Sequence, residues 1–166
     1  MGSEMCIRDR LKAYKHLFKG AVSSSERSTA LLKEAGIIVY DLNNIREIAF
    51  YIDGADEVAD DKSLIKGGGG AHTREKIVAS ASDHFICIVD ESKLVKQLGK
   101  FPLPIEVIPE SRSLVSRKIV SMGGTPIYRQ SFITDQGNQI IDVKGLDLSD
   151  SLKTVSYTHL TLPTKA

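Results

Sequence analysis

An open, largely parallel α/β sheet followed by a smaller α+β unit is the fold class that this sequence predicts, and three observations predict it. Ile37–Tyr40, Ile48–Ile52 and Phe85–Val89 are short, continuously apolar runs between turn signals, as expected of parallel strands covered on both faces. Helical patterns alternate with them, as successive β-α units require. After Phe101-Pro102-Leu103-Pro104 the pattern changes to a strand, a helix and two strands that alternate more cleanly.

Leu11–Lys19 has the look of a helix end, and Gly20-Ala21-Val22 of a short strand opening into Ser23-Ser24-Ser25. Ser25 is a good N-cap for a helix whose apolar stripe is Ala30, Leu31, Leu32 and Ala35, stopped by Gly36. The runs at 37–40 and 48–52 follow as strands. A helix is expected over His72–Ser82, a strand over Phe85–Val89 and a short helix over Glu91–Leu98. In the second unit Ile105–Ile108 reads as a strand and Ser111–Met122 as a helix ended by Gly123-Gly124. Pro126–Thr134 and Gln139–Val143 read as strands joined by the turn residues Asp135-Gln136-Gly137-Asn138. The domains are thus expected at 11–102 and 103–154. Residues 1–10 and 155–166 lack periodicity, resemble translated sequencing-adaptor sequence, and are read as non-native tails.

Composition narrows the function classes. Of 166 residues, 42% are hydrophobic and 26% charged, enough apolar mass for a core. Lys plus Arg is 22 against 21 acidic residues, a balance that argues against nucleic acid or an anionic membrane as partner. No apolar run approaches the roughly 20 residues of a spanning helix, and no secretory pattern opens the chain. Cys6 and Cys87 make neither a disulfide framework nor a zinc set. A cytoplasmic protein is the expectation.

Two motifs carry chemistry. Asp53-Gly54-Ala55-Asp56-Glu57 follows an apolar strand directly, and ligands of open α/β sheets bind at the carboxyl ends of strands. The small residues between Asp53 and Asp56 let both carboxylates turn to one side, an arrangement suited to gripping hydroxyls or moving protons. The competing interpretation is a solvated acidic loop, since Glu57, Asp60 and Asp61 continue the run. Lys66-Gly67-Gly68-Gly69-Gly70 gives up backbone entropy and gains close approach of N–H groups to a ligand, ahead of a helix N-terminus that favours negative charge. It is neither a Walker loop nor a dinucleotide fingerprint; a plain linker is the alternative.

Glu75, in the first turn of the following helix, suits a general base if buried and a dipole-stabilising surface residue if not. His72 is a lone histidine with no second ligand at metal spacing, so no metal is expected. Cys87 reads as a packed thiol, and Lys93 as an anion contact or an ordinary surface lysine.

Together, YIDGADE, IKGGGGAHTREKIVA, FICIVDESK and GKFPLPIEVIP, with GAVSSS before them and ITDQGNQIIDV after, resemble the type A ribose-5-phosphate isomerase family over about Gly20–Asp150. The resemblance implies a Rossmann-like sheet with a smaller, ferredoxin-like α+β domain, and an aldose–ketose isomerase that interconverts D-ribose 5-phosphate and D-ribulose 5-phosphate. It also implies no cofactor, a sugar phosphate as substrate, and a homodimer or homotetramer.

By position, it implies that Glu75 is the catalytic base and that Lys66 offsets charge on an enediolate. Asp53 and Asp56 would hold sugar hydroxyls and assist ring opening, with Gly54 and Ala55 between them. Gly67, Gly68 and Gly69 would form a backbone cradle, and Lys93 would lie on the phosphate side. The family's early Gly-Thr-Gly-Ser-Thr loop and its closing helix and strands have no counterpart here, and His72 replaces an apolar residue. The expectation is a fold truncated at both ends and a chain impaired by it. A sugar-phosphate sensor of the same architecture would not need Glu75 with Lys66, and a nucleotide-binding module would need a fingerprint that is missing.

Overall fold

The computed structural model describes Leu11 and residues 13–148. The N-terminal unit contains α1 (Glu26–Glu34), β1 (Ile48–Asp53), β2 (Glu57–Ala59), β3 (Leu64–Ile65), α2 (His72–Ser80), β4 (Ser82–Cys87) and β5 (Leu94–Val95). The second unit contains β6 (Leu103–Val107), α3 (Arg112–Ser121), β7 (Thr125–Tyr128) and β8 (Gln139–Lys144). Single 3-10 turns stand at Lys15–Leu17, Leu42–Asn44, Glu91–Lys93 and Pro109–Ser111.

β1 and β4 pair in parallel from Ile48↔Ser82 to Asp53↔Cys87, the α/β crossover that the sequence predicts. A three-stranded sheet of order β3-β2-β5 flanks them, with β2·β5 parallel and β2·β3 antiparallel. Helix α1 starts where expected: the Ser25 hydroxyl accepts the Ser28 N–H at 3.1 Å, and Gly36 follows at φ 73°.

In the second unit β6-β8-β7 is fully antiparallel, and α3 packs on it. Ile105, Val107, Ile119, Ile141 and Val143 form a buried cluster there, sealed by Leu103, Val115 and Leu146. Alternate residues of β6 and β8 supply this face, as the pleat dictates.

Several expected elements differ. Ile37–Tyr40 is not a strand but a single parallel bridge, Ala21↔Val39, because its partner segment turns away at the serines. Glu91–Leu98 is not a helix: Asp90 caps one 3-10 turn, after which Leu94 and Val95 pair with Val58 and Ala59. Pairing with β2 overrides the local helical pattern. Helix α2 ends at Ser80, since Ser82 already faces Ile48.

The run Pro126–Thr134 is extended only to Tyr128. Beyond it the chain leaves the ladder, with Ser131 at φ 56°, before the predicted turn closes through Gly137 N–H to Thr134 O at 2.9 Å. The apolar run of β1 is covered on one face only, and not on both as expected. Tyr51 is buried, whereas Phe50 is 59% and Ile52 42% exposed on the opposite face. Residues 1–10 and 149–166, which include both predicted tails, lie outside the described residues.

Candidate active site

A cleft of about 960 Å³ opens at the carboxyl end of β1, and it brings together the ten residues that the resemblance assigns to a site. Asp53, Gly54, Ala55, Asp56, Lys66, Gly67, Gly68, Gly69, Glu75 and Lys93 all line it. The position follows from the parallel strand, whose last residue, Asp53, points its carboxylate at the loop that β3 delivers.

The acidic run resolves into three environments. Asp53 Oδ1 accepts the N–H of Gly54 at 2.8 Å, and Asp56 Oδ2 accepts the N–H of Gly68 at 2.8 Å, so both carboxylates turn inward. Glu57 is buried and accepts the Gly99 N–H at 2.8 Å and the Phe101 N–H at 2.5 Å, pinning the connection into the second unit. Asp60 and Asp61 alone face water. The solvated-loop interpretation therefore holds for only the end of the run.

Lys66 leaves β3 and reaches back across the cleft. Its Nζ lies 2.8 Å from Asp53 Oδ2 and 3.2 Å from Glu75 Oε2, and it also donates to the Gly54 carbonyl. Burial by itself pulls the ammonium down, but Glu75 and Asp53 outweigh it and hold Lys66 above its ordinary value. Lys66 is therefore a fixed cation at neutral pH. Glu75 is buried in the first turn of α2, which removes the surface-residue interpretation. The Phe85 ring lies 5.9 Å from Lys66 Nζ, a cation–π contact.

Behind Asp53 stands Tyr51, whose hydroxyl donates to Asp53 Oδ2. Burial and the Asp53 carboxylate push this phenol far above the ordinary tyrosine range, so it remains a proton donor. Cys87, at the end of β4, is half-buried, and burial raises its thiol.

The glycine loop is held closely. A Cβ on Gly68 would lie 2.6 Å from Asp56 Oδ1, so only glycine lets this backbone reach the carboxylate. Gly70, at φ 85°, lies against the Phe132 ring. His72 packs on Gly67 at the start of α2. Among the described residues no group of three His, Cys, Asp or Glu side chains is placed to hold a metal ion.

Sequence reasoning missed the wall opposite the motifs. Ser23–Ser25, Arg27 and Ser28 line the cleft from the start of α1, and Phe132–Asp135 line it from the second unit. Asp135 Oδ2 accepts the Glu26 N–H at 2.8 Å, joining the β7–β8 loop to the N-terminus of α1. Arg74 bonds Glu26 at 2.7 Å, and its guanidinium lies 3.8 Å from Asp135. Glu106 accepts from Thr73, Thr134 and Asn138, tying α2 to the same loop. The available signals are the segments GAVSSS and TDQGN, which enter the resemblance and a turn but not the expected site.

This arrangement combines a buried carboxylate, a largely buried cation, two further carboxylates turned inward and a glycine loop bordering the cleft. Comparison with known proteins matches it to one family. The family model for ribose 5-phosphate isomerase A (phosphoriboisomerase A) matches residues 20–159. Ribose-5-phosphate isomerase A of Stenotrophomonas maltophilia is 57% identical over 146 residues, covering 87% of this chain and 68% of that protein.

Among solved structures, ribose 5 phosphate isomerase A from Neisseria gonorrhoeae superposes with a TM-score of 0.80 at 55% identity, over 82% of this chain and 61% of that one. The enzyme from Methanocaldococcus jannaschii superposes with a TM-score of 0.85 at 36% identity, over 93% and 72%. The chain thus spans roughly two thirds of the length of these relatives.

Proposed function

The chain belongs to the ribose 5-phosphate isomerase A family, and from that premise we propose that its cleft interconverts D-ribose 5-phosphate and D-ribulose 5-phosphate through an enediolate. One observation carries the proposal: Lys66 Nζ lies between the Asp53 and Glu75 carboxylates at 2.8 and 3.2 Å, beside a glycine loop.

Glu75 acts as the base. It takes the proton from C2 of the open-chain aldose as the C1 carbonyl becomes an enolate oxygen, and it returns a proton to C1. Overall one hydrogen moves from C2 to C1 and one from O2 to O1, with no net gain or loss of electrons. Acid–base groups of the chain suffice for this balance. As Glu75 is protonated, the negative charge passes to the substrate, and Lys66 meets it there without reorganising.

Asp53 and Asp56 hold sugar hydroxyls and assist ring opening. Gly67, Gly68 and Gly69 present the backbone, and Lys93 faces the phosphate. A homodimer or homotetramer and a cytoplasmic setting belong to the same proposal.

The test is to incubate this chain with D-ribose 5-phosphate in deuterated buffer and follow the C1 and C2 signals by NMR. Ribulose 5-phosphate carrying solvent deuterium at C1 is the expected product, and Glu75→Gln removes it. No isomerisation above buffer, or deuterium incorporation unchanged in Glu75→Gln, would overturn the proposal.

A further inference from the structure

We propose that Arg129, in the second unit, is a positioning residue for the glycine loop and, through it, for Asp56. The Arg129 guanidinium forms a fork with Asp142 of β8, with Nε 2.8 Å from Oδ2 and Nη2 2.5 Å from Oδ1. Its remaining arm, Nη1, donates to the Gly68 carbonyl at 2.9 Å. The other side of the same residue is also held, since the Gly68 N–H donates to Asp56 Oδ2 at 2.8 Å. Asp142, Arg129, Gly68 and Asp56 therefore form one continuous chain of charge-assisted bonds running from the small sheet into the cleft.

The geometry favours an orienting role over a merely cohesive one. The Arg129 backbone N–H bonds Ile140 O at 2.9 Å, so the side chain projects from the end of a paired segment. The Asp142 fork fixes the plane of the guanidinium, and the Phe132 ring lies 5.3 Å from its centre. A fixed plane confines the Nη1 N–H groups to that plane, and one of them is aimed at the carbonyl of Gly68. Arg129 touches neither Glu75 nor Lys66 among its hydrogen bonds, so its effect is on placement and not on proton transfer. The small unit thus supplies a working part of the cleft besides its wall.

The kinetic arm of the test rests on the proposed isomerase reading; the exchange arm does not. Amide hydrogen exchange of the full chain is compared for wild type, Arg129→Ala, Arg129→Lys and Asp142→Asn. Arg129→Lys retains an ion pair with Asp142 but lacks the second arm for Gly68, which keeps the test informative should Arg129→Ala fail to fold.

Exchange at Gly68–Gly70 is expected to accelerate about tenfold in each variant, the scale of losing one charge-assisted hydrogen bond. Protection across Ile140–Val143 is expected to hold in Arg129→Lys. In the isomerase assay KM rises about tenfold while kcat stays within about threefold and the pH profile is unmoved. Unchanged exchange at Gly68 in Arg129→Lys, or an equal loss of protection throughout the second unit, overturns the positioning role. A wild-type chain that does not isomerise ribose 5-phosphate refutes the activity instead, and the exchange result still decides on Arg129.

Discussion

The Lys66 ammonium lies 3.2 Å from Glu75 Oε2, and both side chains are largely withdrawn from solvent, at 15% and 11% exposed. A base beside a cation is a weaker base, so the pairing looks adverse to proton abstraction until the substrate is included. In the proposed reaction, when Glu75 takes a proton its own charge vanishes and an equal charge appears on the substrate oxygen. Lys66 then loses one anionic partner and gains another, so the electrostatic cost of deprotonating carbon is shared across a preformed site. Asp53, 2.8 Å away on the other side, keeps the ammonium in place throughout.

Glu75→Gln keeps the shape of the side chain and removes its basicity. Isomerisation is expected to fall about 10²- to 10⁴-fold, the range for a general base, with the thermal midpoint little changed. Loss of solvent deuterium incorporation at C1 and C2 is the direct check, because it reports proton transfer separately from binding.

The same triad fixes a dependence on alkaline pH. Lys66 is held above its ordinary value of 10.5 in the folded chain, so its stabilisation is fully present below 10.5 and is lost as pH rises through the folded value. Tyr51, also raised and neutral when protonated, acts in the same direction. Urea unfolding is therefore expected to show stability falling above about pH 10. Lys66→Met is expected to lose about 3 kcal/mol at pH 8, because it leaves two buried carboxylates without their cation. Its decline at high pH should be shallower than that of wild type. Parallel declines for the two proteins would remove Lys66 as the source.

The parts of the site legible in the sequence are those whose partners are close in the chain or follow a strand by rule. Asp53, at the end of β1, and the glycines before α2 are of this kind. Glu75 was not legible by itself: in the first turn of a helix, only burial separates a base from a dipole partner, and burial comes from packing. Arg129, 61 positions from Gly68, has no local signature, because a guanidinium reaching a distant carbonyl leaves no period in the sequence. β5 was misread for a related reason. Leu94 and Val95 take their conformation from Val58 and Ala59, which no window around residue 94 contains.

Glu57 belongs to the fold more than to the chemistry. Its buried carboxylate satisfies the Gly99 and Phe101 N–H groups, which have to enter the second unit in a fixed direction. Glu57→Ala orphans both donors and is expected to cost about 2–3 kcal/mol. Glu57→Gln, which keeps one acceptor oxygen, should cost less. Denaturant midpoints for the two variants, with hydrogen exchange at residues 99 and 101, check the order.

The glycines of the loop separate structural need from functional need. A Cβ on Gly68 would crowd Asp56 and the Phe101 ring, and one on Gly70 would overlap Phe132 at a φ of 85°. Gly68→Ala and Gly70→Ala are each expected to lower stability by about 1–3 kcal/mol, the cost of overpacking. Gly69 differs: its φ lies outside the left-handed region, and nothing stands within 4 Å of an added Cβ. Gly69→Ala is therefore expected to preserve the thermal midpoint or raise it slightly, since alanine restricts the unfolded chain. Gly69 nevertheless lines the cleft, and in the proposed cradle an added methyl there is expected to raise KM for ribose 5-phosphate. Calorimetry and steady-state kinetics on the three variants distinguish these outcomes. Unchanged kinetics in Gly69→Ala would mean that the substrate does not approach this backbone.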